Sequence, residues 1–113
     1  MITVILVSHG GMAAGMVEST TMLIGDQPCL GSITFEPEDG PDDLTAKVEN
    51  RLKEALKQGE VIIMTDIPNG TPFKCVSRLM EHYKFYHLTG MNLPMVIDVV
   101  SQLSEDAKAA ALS

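Results

Sequence analysis

A histidine and two glycines close one apolar run of this chain, and an aspartate closes a later one; these are the residues whose types and spacing can do chemistry. The first group is Ser8-His9-Gly10-Gly11, and the second is Thr65-Asp66 with Asn69-Gly70-Thr71 close behind. A neutral imidazole is a nucleophile near neutral pH. Gly10 and Gly11 let the backbone pass close to a bulky anion with no Cβ in the way. Asp66 can hold one ring nitrogen of His9, leaving the other free to attack, and can stabilise the positive charge that develops on the ring. The amides of a helix opening at residues 12–14 favour an anion there, and Thr71, at another helix start, can offer its hydroxyl to a phosphoryl oxygen. The chemistry this predicts is transient phosphorylation of His9. His9 and Asp66 are then the catalytic pair, Gly10, Gly11 and Thr71 bind phosphate, and no metal or cofactor is called for.

These groups work only if strands and helices carry them to one place. Residues 2–7 form a nearly continuous, β-branched apolar run, as in a strand buried on both faces. A helix is expected over 12–24, with Met12, Met16 and Leu23 on its inner stripe and Gly25 as its stop. A second strand over 30–35 ends in the acidic turn 36–40. Pro41 opens a helix whose first turn carries Asp42 and Asp43 and whose spine is Leu44, Val48, Leu52 and Leu56, with Gly59 ending it. A third strand is expected over 61–64. In the helix that follows, Thr71 is the cap, Pro72 takes the first position, and Phe73, Val76, Leu79 and Met80 face inward. Residues 83–88 can make a fourth strand. The 94–103 segment fits strand or helix by pattern and is assigned as helix, and Ser104 reads as the cap of a separate last helix.

Strands alternating with helices predict an α/β three-layer sandwich, a mainly parallel four-stranded sheet with helices on both faces. Functional residues then belong at the carboxyl ends of the strands, near the point where strand order reverses. Both polar groups fall on that rim.

The chain has 113 residues, enough for a single domain spanning 1–113, with 45% apolar and 20% charged residues. Its formal charge of −7 is a poor match for nucleic acid or an anionic membrane surface and suits solubility or a basic protein partner. The opening apolar run lacks a basic lead and is too short for a signal peptide or a membrane span, which implies the cytoplasm. Cys29 and Cys75 are far apart with no metal-ligand spacing. The eight methionines read as pliable core filler, His82 and His87 as surface histidines without a partner motif, and Lys74 as a solubilising residue or a steering charge.

Two other classes use the same rim. A receiver-like regulatory domain phosphorylated on Asp66 requires an acidic pair after the first strand to hold magnesium, and Ser8-His9 stands there instead. A non-catalytic ligand- or metal-binding module would use His9, although metals prefer several convergent histidines or cysteines.

The opening residues 2–10, then Met22-Leu23-Ile24-Gly25, Asp66 with Asn69-Gly70-Thr71-Pro72-Phe73, and Gly90-Met91-Asn92-Leu93-Pro94-Met95 resemble the mannose-type IIA domains of the bacterial sugar phosphotransferase system. The resemblance implies that His9 accepts a phosphoryl group from the histidine-containing phosphocarrier protein HPr and passes it to a IIB component. It gives Asp66 the role of supporting the histidine and Thr71 that of binding phosphate. It also implies a cytoplasmic homodimer with an exchanged strand near the C-terminus, touching the membrane only through IIC and IID components. The chain departs from the family pattern at Pro68-Asn69, where a glycine-richer turn is common, and at Lys74, where asparagine is usual. It also ends sooner than most members, so the exchanged strand is expected to be missing or displaced.

Overall fold

The computed structural model describes residues 2–112, with side chains up to residue 103. In chain order it contains β1 (Ile2–His9), α1 (Met12–Ile24), β2 (Leu30–Phe35), α2 (Pro41–Gln58), β3 (Glu60–Thr65), α3 (Thr71–Leu79), β4 (Tyr86–Thr89) and α4 (Leu93–Leu112). All strands pair in parallel in one sheet of order β2-β1-β3-β4, so the direction of strand addition reverses about β1. This is the expected α/β sandwich, and β1 and β3, the strands that carry His9 and Asp66, lie side by side at its centre.

Alternation along β1 divides the core in two. Ile5 and Val7, with Ile33, Val61 and Ile63, pack against Leu44, Val48 and Leu52 of α2 and Cys75, Val76 and Leu79 of α3. Val4 and Leu6, with Leu30 and Met64, pack against Ala13 of α1 and Val96 and Val100 of α4. Each fully buried aliphatic side chain contributes about 1.5–3 kcal/mol relative to exposure, so β1, buried on both faces, anchors both layers.

Several boundaries differ from expectation for local reasons. β4 begins at Tyr86, not residue 83, because the turn after α3 directs Tyr83 toward α2, where its hydroxyl donates to Glu49 Oε2 at 2.9 Å. The cap of α3 is Gly70, with Thr71 as first helical residue and Pro72 as second, one position earlier than expected. The 93–112 segment is a single helix, capped by Asn92, whose Oδ1 accepts the Met95 amide at 3.0 Å; the backbone runs through Ser104 without the break that a second cap would require. After β4 the described chain is helical and contributes no further strand.

The inward stripe of α1 also differs. Ala13 and Thr20 are buried and Met16 and Val17 pack on the second core, whereas Met22 is 82% and Leu23 62% exposed. The helix rotates so that small residues lie closest to the sheet, a register that apolar spacing alone does not select because α1 is apolar on several sides. Leu52→Ala should therefore lower stability by about 2–5 kcal/mol, and Leu23→Ala should stay within about 0.5 kcal/mol of wild type. Urea denaturation checks both; a large loss at Leu23 would contradict the placement of this helix face.

Candidate active site

His9 is the last residue of β1 and pairs in register with Phe35, the last residue of β2, so both side chains stand on the sheet face covered by α2 and α3. The Phe35 ring meets the imidazole edge-on, with centroids 5.7 Å apart at 69°. Gly10 follows at φ +58, a conformation open to glycine, and its amide donates to Phe35 O at 3.0 Å. This turn carries the chain to the opposite face, where α1 begins. Ser8 points to that face, fully buried, and its Oγ accepts the Ala13 amide at 2.8 Å, satisfying one of the unpaired donors at the start of α1. Ser8, passed over in the sequence, is thus a structural residue that secures the helix after the His9 loop.

Asp66 follows β3 directly and is almost wholly enclosed. Its Oδ2 accepts both the His9 backbone amide at 2.9 Å and the His9 ring at Nδ1 at 2.6 Å, and its Oδ1 accepts the Ile67 amide at 3.0 Å. Burial pushes the carboxyl toward a higher pKa, but the two bonds from His9 and the one from Ile67 outweigh it and hold Asp66 below the ordinary carboxylate value. An ionised carboxylate can only accept, so Nδ1 must be the donor. The lone pair of neutral His9 then lies on Nε2, in a side chain that is 45% exposed at the rim.

The start of α3 lies against the same ring. A Cβ built on Gly70 would be 3.1 Å from His9 Cε1 and 3.2 Å from Ile67 Cγ1, a tight fit in which the imidazole or Ile67 would have to give by a few tenths of an ångström. The chain enters Gly70 through Asn69, which holds the left-handed φ of 65. Among the described residues the Thr71 and Phe73 amides and the Thr71 hydroxyl make no hydrogen bond, so donors stand free at this helix start. Of the amides expected to cradle an anion on the α1 side, those of Gly10 and Ala13 are committed to Phe35 and Ser8, while those of Gly11 and Met12 have no partner among the described residues. Gly11, at φ −82 with open space around it, is not required by backbone conformation.

His87, read from sequence as a surface residue, is half-buried between β3 and α3. Its Nε2 lies 2.9 Å from Thr65 Oγ1, and its ring lies 5.1 Å from that of Phe73. Burial lowers its pKa. The register pairing Ile63 with His87 causes this, and strand pairing is not visible in a single sequence. His82 is exposed at the end of α3. Among the described residues no group of three or more histidines, cysteines or acids converges as metal ligands, and no helix is long and apolar enough to cross a membrane.

Because the folded pKa of Asp66 is depressed, the stability it contributes is fully present above its unfolded pKa of about 3.9 and is lost as pH falls through the folded value. The stability gap between wild type and Asp66→Asn should therefore be constant from about pH 5 to 6 and narrow below about pH 4. Urea melts across this range test it, and a gap independent of pH would mean that Asp66 is not held as an anion.

A model of the EIIA-man family, described as the PTS system fructose IIA component, matches residues 3–112. The PTS system fructose-specific EIIA component of Bacillus subtilis (strain 168) is 31% identical over 102 residues, covering 89% of this chain and 70% of that protein. The PTS system mannose-specific EIIAB component of Escherichia coli (strain K12) is 28% identical over 108 residues; this is 93% of the chain but 33% of the relative, so the chain spans about a third of that protein's length. The crystal structure of phosphotransferase system component EIIA from Streptococcus agalactiae matches with a TM-score of 0.83 at 29% identity, covering 92% of this chain and 80% of that one. The family match runs from the first strand into the last helix, over a fold that these structures share, and the chain accordingly belongs to the EIIA-man family of sugar phosphotransferase system components.

Proposed function

We propose that this protein is a phosphoryl carrier that accepts phosphate on His9 Nε2 from HPr and delivers it to a IIB component. The observation that carries the reading is the bond between Asp66 Oδ2 and His9 Nδ1, which fixes the tautomer and leaves the nucleophilic nitrogen at the rim beside the free donors of α3.

In the forward step the Nε2 lone pair forms a new N–P bond as the donor's P–N bond breaks, and the donor imidazole leaves with that electron pair. Nδ1 keeps its proton throughout, so the phosphorylated ring is cationic and Asp66 stabilises it. Thr71, with the free amides at Gly11, Met12 and the start of α3, holds the phosphoryl oxygens. Delivery to IIB reverses the roles. Little beyond positioning and charge stabilisation is required of the protein. Phosphorylation of Asp66 itself finds no support, because both its oxygens are occupied and the side chain is only 7% exposed.

On this reading the exchange takes place in the cytoplasm, in a homodimer that approaches the membrane only through IIC and IID partners. Relatives are named for fructose, mannose and sorbose, so the proposal extends to a sugar relay without choosing among these.

Incubation with phosphoenolpyruvate, enzyme I and HPr, followed by intact mass at alkaline pH, should show one acid-labile phosphoryl group on wild type and none on His9→Ala. Undiminished labelling of His9→Ala would sink the reading. Asp66→Asn should still accept phosphate but about 10–100-fold more slowly. An asparagine can present either its oxygen or its amide to Nδ1, and in the fraction where the amide donates, the ring proton moves to Nε2 and that fraction cannot attack.

A further inference from the structure

The rim around His9 is rich in negative charge. Glu36, Glu38, Asp39, Asp42 and Asp43 lie between the end of β2 and the first turn of α2, and Asp66 lies under the ring itself. A dianionic phosphoryl group on Nε2 adds to that charge. Lys47, a cation of this rim, is already engaged by Asp39 Oδ2 at 2.6 Å. Lys74 on α3 is exposed, and among the described residues its ammonium makes no ion pair or hydrogen bond.

The placement of Lys74 follows from its neighbours. Phe73 turns to one side and meets His87 of β4, and Cys75 turns to the other and reaches Pro41 O at the start of α2. Lys74, between them, occupies the outer face. It is one helical turn beyond Gly70, to which its own amide is bonded at 3.0 Å, and Gly70 is the residue packed against His9 Cε1. Helical side chains lean toward the N-terminus and cover the turn before their own Cα. A lysine four residues after a glycine therefore leans back toward the position that the glycine leaves bare, which the His9 imidazole and the Ile67 side chain border.

From this we infer that Lys74 is a phosphoryl-binding residue, its ammonium reaching back along α3 over Gly70 to an oxygen of the phosphate on His9 Nε2. The inference rests on the carrier reading. Lys74 stays protonated, forms no covalent bond and acts by charge alone, stabilising the phosphorylated state against the carboxylates around it.

The test separates this from the carrier reading by using a small-molecule donor. Wild type, Lys74→Gln, Lys74→Arg and Lys57→Gln, a charge control at the far end of α2, are phosphorylated with phosphoramidate, and the phosphohistidine is titrated by phosphorus NMR. A unit charge about 4 Å away in water displaces a pKa by roughly 0.7 unit. Removing it should raise the second phosphoryl pKa in Lys74→Gln by about 0.5–1 unit, while Lys74→Arg and Lys57→Gln stay close to wild type. A Lys74→Gln curve that overlays wild type, or an equal shift in Lys57→Gln, overturns the role of Lys74 and leaves His9 as carrier. A wild-type protein with no phosphohistidine signal overturns both.

Discussion

One carboxylate oxygen, Asp66 Oδ2, holds this site together. It accepts the backbone amide and the ring of His9, a residue 57 positions away, and so fixes both where the loop runs and how the imidazole is turned. The arrangement works only if Asp66 is ionised. Enclosure alone would favour the neutral acid, and three donors on two oxygens reverse that preference. The same charge makes Nδ1 the donor and leaves the lone pair of the neutral ring on Nε2.

The sheet exists in the form this contact needs. Parallel pairing of β1 with β3, in the register that sets Val7 opposite Thr65, brings both strand ends to one level on one rim. A slip of one residue would turn His9 to the opposite face, away from Asp66, Phe35 and the start of α3. Burial of β1 on both faces prevents that slip, because the odd residues must enter the core under α2 and α3 and the even ones the core under α1 and α4. Ser8, one residue earlier, is committed to that second face, where it secures the helix that follows the glycine turn.

Charge around the rim follows a different logic. Most of the acidic residues near His9 lie in a turn and a helix start, where they suit the backbone through hydrogen bonds and the helix dipole, as when Asp43 accepts the Gly40 amide at 2.8 Å. They also add negative charge to the rim, whereas at the first turn of α3 the Thr71 and Phe73 amides are, among the described residues, without a hydrogen-bond partner.

The sequence by itself determined the alternation of strands and helices, and with it the class of fold. The apolar runs before His9 and Asp66, the proline and acids opening α2, and the Leu44-Val48-Leu52 spine are local signals that burial and helix geometry translate directly. It also determined that His9 and Asp66 would share a rim, since parallel strands end on one side. Signals that depend on orientation were weaker: the apolar excess of α1 did not reveal that Leu23 faces water, and no motif marked His87 as half-buried. Tertiary structure alone decided that Asp66 grips Nδ1, that the start of α3 lies against the His9 ring, and that Ser8 caps α1. Those facts depend on strand register and helix rotation, which are set by how whole faces pack against one another and not by any residue's own preference.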